Sequence, residues 1–228
     1  MLEEALRSGA VPEAIYATEP AHAAAAATLA GLDPAVPVFL VQERAMAKLS
    51  DLETPPGLLA VLETRSRPLA ALLDGPGPLL LLAGVADPGN AGTLLRSAEI
   101  FGFAGVLFGA EAVEPYNPKV VRASMGAIFR VPFGVAAAAE VESAARERGY
   151  ELVAAGDGGT PLPEFRFVRR SIIGIGNERR GVKNWLAAWD RTVTIPQRGA
   201  GESLNAAVAG SIVAYAASSQ LERLEPNA

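Results

Sequence analysis

Three stretches of this chain are apolar at every position rather than at every second one: "LLLLAGV" from Leu79, "GVLFGA" from Gly105 and "IIGIG" from Ile172. A strand with one wet face alternates apolar and polar side chains, so an unbroken apolar run marks a strand buried on both faces. Helical patterns lie between these runs: "TLLRSAEIFG", closed by Gly102, "PKVVRASMGAIF" and "AEVESAARERG". Shorter apolar runs, "RVPFGV", "YELVAAG" and "RTVTIP", extend the alternation. "RRGVKNWLAAWD" reads as a further helix, and a last helix is predicted over about 203–222. Strands alternating with helices in this way predict an α/β fold, a parallel sheet flanked by helices.

The segment before Leu79 is patterned differently. "EEALRSGAV" predicts a helix stopped at Gly9, "AIYAT" and "VPVFLV" short strands, "ERAMAKLSD" a helix, and "PPGLLAVLE" a turn and a strand. A Pro/Gly cluster at 75–78 then marks an edge. The expected division is a small N-terminal α/β domain over 1–72 and a larger domain over 73–228.

Composition removes several kinds of chemistry. There is no cysteine, hence no disulfide, thiolate metal site or thiol nucleophile, and the lone His22 cannot build a histidine-rich metal centre. No metal is therefore expected. No apolar run is long enough to span a bilayer and the acidic start is unlike a signal peptide, so the expectation is a cytoplasmic protein with no membrane partner. The net charge is −5, so any nucleic acid must be met by a local basic patch.

Ligands of open α/β sheets bind beyond the carboxyl ends of the strands, which directs attention to three strand-to-helix loops. In "VADPGNAGTLLRSAEIFG", Gly89 and Gly92 can be ordinary turn glycines. Asn90 stands where a helix N-cap is expected, near a start at Ala91, and Arg96 about one turn further on; together they suit a phosphate or an oxyanion. In "IIGIGNERRGV", paired glycines bracket Asn177 and Glu178, which can hold a ribose hydroxyl or a nearby arginine. In "IPQRGAGESLNAAVAGSIVAYAA", Ser203 reads as the cap of a helix made mostly of small residues, suited to close packing or to a subunit interface. Neither a G-x-G-x-x-G fingerprint nor a P-loop G-K-[ST] is present, which counts against a generic nucleotide-binding protein.

Together the loops resemble the SpoU/TrmH family of the SPOUT superfamily, whose members are RNA ribose 2'-O-methyltransferases. The N-x-G-x-x-x-R motif reads Asn90-Ala91-Gly92-Thr93-Leu94-Leu95-Arg96, and G-N-E-x-x-G reads Gly176-Asn177-Glu178-Arg179-Arg180-Gly181. The third, I-P-x-x-G…S-L-N, reads Ile195-Pro196-Gln197-Arg198-Gly199, then Ser203-Leu204-Asn205. The likeness covers about 79–222; "EALRSGAV" and "LETPPGLLAV" are similar, more loosely, to the small RNA substrate-binding domain of the family, shortened here at its start. Gln197 stands where many members have Met, and "LNAAVAG" replaces a bulkier run.

The resemblance implies a C-terminal trefoil knot, a rare exception to unknotted folds. It implies S-adenosyl-L-methionine as cofactor, contacted by Gly176, Asn177, Ile195, Gln197, Ser203 and Leu204, and a homodimer with the site near the interface. The small-residue helix would thread the knot and, at Ala209 and Gly210, pack against the partner. Arg96, Asn90, Glu178 and Asn205 would form the catalytic set. A guanidinium stays charged at any working pH, so Arg96 is expected to stabilise the developing alkoxide and fix the adjacent phosphate rather than act as a base. Arg122, Lys119 and Arg198 are the expected RNA contacts, with Arg130, Arg179 and Arg180 as further basic groups. The implied substrate is structured RNA, rRNA ahead of tRNA. The alternatives are a tRNA 2'-O-methyltransferase, an enzyme of the same fold acting on a base, and a non-catalytic RNA-binding protein that retains the fold.

Overall fold

The computed structural model describes residues 1–50, 52–177, 181–199 and 203–222. The chain forms two compact units, Met1–Arg65 and Ser66–Ala228. The N-terminal unit contains α1 (Leu2–Arg7), β1 (Pro12–Ala17), α2 (Glu19–Ala24), α3 (Ala26–Ala30), β2 (Val38–Leu40), α4 (Glu43–Leu49) and β3 (Leu58–Leu62). Its sheet has the order β2-β1-β3, with β1 parallel to β2 and antiparallel to β3. Ala5, Pro12, Ile15, Ala17 and Met46 are buried apolar side chains of this unit.

The C-terminal unit begins with α5 (Leu69–Leu73). The break between units thus lies after Arg65, not after 72, because Leu72 and Leu73 pack with Leu79, Leu81 and Leu107 in the core of the larger unit. The Tyr150 hydroxyl donates to the Leu73 carbonyl at 2.9 Å and fastens the same segment. Burial raises the pKa of this phenol, so it remains a donor at neutral pH.

The strands that follow are β4 (Leu79–Ala83), β5 (Gly105–Gly109), β6 (Phe133–Ala136), β7 (Glu151–Pro161), β8 (Ser171–Gly176) and β9 (Arg191–Thr194). The helices are α6 (Pro88–Ile100), α7 (Pro118–Ala123), α8 (Ala127–Arg130), α9 (Ala138–Glu147) and α10 (Ala206–Glu222). The six strands form one parallel sheet in the order β6-β5-β4-β8-β7-β9. β4, β5 and most of β8 are buried along their whole length, as their unbroken apolar character requires. One core cluster joins Leu80, Leu82, Ile173 and Ile175 to Leu94, Val213 and Ala214; the other joins Leu79, Leu81 and Ile172 to Val141 and Ala145.

The chain leaves β4 toward β5 and β6, then returns to place β7 and β8 on the other side of β4. The direction of winding therefore reverses between β4 and β8, the kind of point beside which open α/β sheets bind ligands at their carboxyl edge. Two predicted helices are altered. "PKVVRASMGAIF" is split into α7 and α8 by Met125 (φ 50°) and Gly126 (φ 91°), both left-handed. "RRGVKNWLAAWD" forms turns over its described part: Trp185 lies against Gly109 and donates to Glu111 at 2.8 Å, while Trp189 lies against Gly174 and donates to the Lys183 carbonyl at 3.2 Å. These tertiary anchors hold the segment out of a helical path.

Candidate active site

α6 and α10 lie side by side and run in the same direction, linked at successive levels. Asn205 Nδ2 donates to Asn90 Oδ1 at 2.9 Å, Gly210 packs on Leu94, the Ser97 and Ser211 hydroxyls are 2.6 Å apart, and Phe101 meets Tyr215 edge-on. The two helix N-termini are thereby brought together beside the carboxyl end of β4.

The caps differ from expectation. Asp87, not Asn90, caps α6 by accepting from the Asn90 N–H at 2.7 Å, so the helix starts at Pro88 rather than near Ala91. Asn90 is its third residue, and its buried amide is turned toward Asn205. Arg96 accordingly lies about 12 Å along the axis from the start of the helix, beyond the first-turn anion position. Its side chain is exposed, and no described residue pairs with it. Asn205, not Ser203, caps α10: its Oδ1 accepts from Ala207 N at 2.9 Å and Val208 N at 3.2 Å. One Asn205 side chain thus starts one helix and fixes it to the other.

This dual use makes a stability prediction. Asn205→Ala should lower unfolding free energy by about 1–2 kcal/mol through loss of the cap. Asn205→Ser, which keeps a cap acceptor but cannot reach Asn90, should recover about half of that. Chemical denaturation of the three proteins measures both values.

At the end of β8, Gly176 has no room for a Cβ because the Gly181 and Val182 backbone packs against it. Asn177 Nδ2 donates to the Gly84 carbonyl at 3.1 Å, and its own carbonyl accepts from Gly181 N at 2.8 Å, closing a tight loop. Glu178, Arg179 and Arg180 lie outside the described residues.

A cavity of about 420 Å³ opens at the ends of β7, β8 and β9. Gly176, Asn177, Ile195, Gln197, Ser203 and Leu204 all line it, whereas Asn90, Arg96 and Asn205 do not. Ala209 is also in its wall, and Gly210 is buried against Leu94 and Ile175 of the same chain. Within the chain, the small residues at these positions thus serve the cavity wall and close packing on α6 and β8. Sequence reasoning missed Asp157, Lys183 and Asn184, which line the same cavity; the glycines around Asp157 were the available signal.

Of the basic candidates, Lys119 and Arg122 are exposed one helical turn apart on α7, which packs on α6 where Gly92 meets Ala123. Arg198 is exposed on the loop after β9. Arg130 is ion-paired with Glu99, one contact being 3.1 Å, and is therefore less free to meet a ligand. Among the described residues no three His, Asp or Glu side chains converge as a metal site, and no helix is long and apolar enough to cross a membrane.

The chain is similar to known proteins throughout its length. It is 34% identical over 183 residues to a 23S rRNA (uridine(2479)-2'-O)-methyltransferase of Streptomyces viridochromogenes, covering 72% of this chain and 61% of that one. It is 27% identical over 217 residues to the 23S rRNA (guanosine(2553)-2'-O)-methyltransferase RlmP of Bacillus subtilis, covering 94% and 84%. Its structure resembles that of the SpoU methyltransferase AviRb from Streptomyces viridochromogenes in complex with AdoMet, with a TM-score of 0.85, 26% identity and coverage of 99% and 88%. An AdoMet-bound rRNA methyltransferase from Sinorhizobium meliloti gives a TM-score of 0.80 at 26% identity, covering 96% and 84%. Residues 78–215, which hold all three loops and the cavity, match the SpoU rRNA Methylase family, and the chain belongs to it.

Proposed function

We propose that this protein methylates a ribose 2'-hydroxyl of structured RNA, rRNA ahead of tRNA, using S-adenosylmethionine. The observation that carries the reading is the convergence of six residues from two separate motifs on one cavity at the carboxyl edge of a parallel sheet. Its volume is that of a small-molecule site, which runs to roughly 300–1,000 Å³. Ile175, Val193, Ile195, Leu204 and Val213 give it the apolar wall that suits a purine, and Gln197 and Ser203 add polar groups. The relatives named above, rRNA 2'-O-methyltransferases and AdoMet-bound structures, support the same assignment.

The bound cofactor supplies an activated methyl group on a sulfonium. The residues of this chain supply position and charge. Arg96 holds the ribose and its phosphate and stabilises the oxygen as it loses its proton. Asn90, locked by Asn205, orients that hydroxyl or the guanidinium, and Ser203 and Gln197 border the cofactor. Glu178 joins this set on its motif position alone. Lys119, Arg122 and Arg198 meet the RNA backbone, and no metal takes part.

Three further parts complete the proposal. The chain passes from edge strand β9 back across the sheet to set α10 beside α6, which supports a trefoil knot closed around the cofactor loops. Val208, Ile212 and Tyr215 form an exposed apolar stripe on α10, with Ile100 exposed on α6, and this face supports a homodimer. Arg96 is exposed on α6 and outside its own chain's cavity, so a dimer through this face would bring it to the border between copies. The N-terminal unit would place the RNA by shape rather than by neutralising phosphates, because it holds four basic residues against nine acidic ones. The working compartment is the cytoplasm, where the RNA is.

The test is transfer of labelled methyl from S-adenosylmethionine onto total RNA, followed by mapping of the modified nucleotide. Label at one 2'-oxygen of rRNA is expected; label on tRNA or on a base would replace the substrate assigned here, and no label on any RNA would overturn the reading.

A further inference from the structure

We infer that Asp157 and Lys183 are two separate, opposite charges that together take the amino acid end of the cofactor, so that the cavity selects for a zwitterionic tail and not only for adenosine. This rests on the reading that the cavity holds S-adenosylmethionine.

Asp157 occupies a built protrusion. Along β7, Ala155 and Thr160 both register with Val193 of β9, so the four residues 156–159 bulge out of the ladder. The Thr194 hydroxyl holds both feet of the bulge, donating to the Gly156 carbonyl at 2.6 Å and accepting from Gly159 N at 2.7 Å. Gly158 is left-handed at φ +71°, and a Cβ at Gly159 would strike the Thr192 backbone. Such bulges re-aim a side chain beside a site, and here the only side chain carried by the bulge is that of Asp157, at the cavity wall.

Lys183 reaches the same place from the other side. Val182 before it is buried, and its own carbonyl is held by the Trp189 indole, so its backbone is fixed at the cavity rim. Its Nζ comes within 3.8 Å of where a Cβ on Gly158 would stand, next to Asp157. The two groups nevertheless form no ion pair with one another or with any described residue. Two unspent opposite charges on one cavity fit a guest bearing both an ammonium and a carboxylate. The mainly apolar remainder suits the nucleoside end.

The test is calorimetric binding of three probes to wild type, Lys183→Met, Lys183→Arg and Asp157→Asn. S-adenosylhomocysteine has the amino and carboxylate groups but no sulfonium, decarboxylated S-adenosylmethionine lacks the carboxylate, and methylthioadenosine lacks both. Lys183→Met should weaken S-adenosylhomocysteine about five- to tenfold and leave the other two within about twofold. Lys183→Arg should restore binding. Asp157→Asn should weaken both amino-bearing probes but not methylthioadenosine. The losses should shrink in high salt, as for charges at a wet rim. Unchanged or equal losses across the probes would overturn the inference, and so would a Lys183→Met protein that loses only RNA affinity. If no probe binds wild type, the cofactor reading itself falls. Methylthioadenosine binding also reports whether each variant retains its fold.

Discussion

Arg96→Ala is expected to abolish most methyl transfer while leaving cofactor affinity within about twofold. Loss of one preorganised charge aimed at a developing oxyanion typically costs about 10²–10³ in kcat. Arg96 is exposed on the third turn of α6, outside the cavity wall, so its removal deletes no cofactor contact. It is not part of the packed α6–α10 seam either, so unfolding free energy should change by less than about 0.5 kcal/mol. Arg96→Lys should recover activity only in part, since an ammonium carries the charge without the planar fork that holds a phosphate at two points. Single-turnover transfer and cofactor titration on the same samples separate the two effects. A fully active Arg96→Ala protein, or one that cannot bind cofactor, would remove Arg96 from the role assigned to it.

The separation of Arg96 from the cavity illustrates what a sequence can and cannot convey. The sheet was legible because burial on both faces leaves an unbroken apolar run, as in Leu79–Ala83 and Ser171–Gly176. The cavity was legible because its six predicted residues lie in two motifs that follow β8 and β9 at one edge of the sheet, on either side of β7. What failed to show were features decided by tertiary partners. Asn90 has the chemistry of a cap, but Asp87 took that position and freed Asn90 to meet a residue 115 positions away. The tryptophans at 185 and 189 have helical spacing, yet each indole is claimed by a glycine groove and a distant or local acceptor. Asp157 was hidden for another reason: a bulge carries no periodicity, and its glycines read as a strand end.

Gly210→Leu is expected to be strongly destabilising, and the reason concerns the interior of one chain. A side chain here would point at Leu94 of α6 and at Ile175 of β8, whose Cγ1 lies 3.1 Å from the Cβ position. Overpacking a filled core costs typically about 1–3 kcal/mol, and this site faces the buried side chains of Leu94 and Ile175, so about 3 kcal/mol is expected for a side chain as large as leucine. Ile175 also lines the cavity, so what pushes it aside should weaken cofactor binding together with stability. Gly210→Ala is the informative contrast. Alanine gains about 1 kcal/mol of helix propensity, and its first obstacle is the mobile end of Leu94, so the two effects should nearly cancel. Denaturation midpoints with cofactor titration check both variants. Light scattering tells this internal role from an interfacial one. Gly210→Leu should shift stability at any protein concentration, whereas Val208→Glu, on the exposed stripe of α10, should shift the monomer–dimer balance while leaving the α6–α10 seam intact. If Gly210→Leu instead stays as stable as wild type and only loses its partner, α10 packs against a second copy where it is placed here against Leu94.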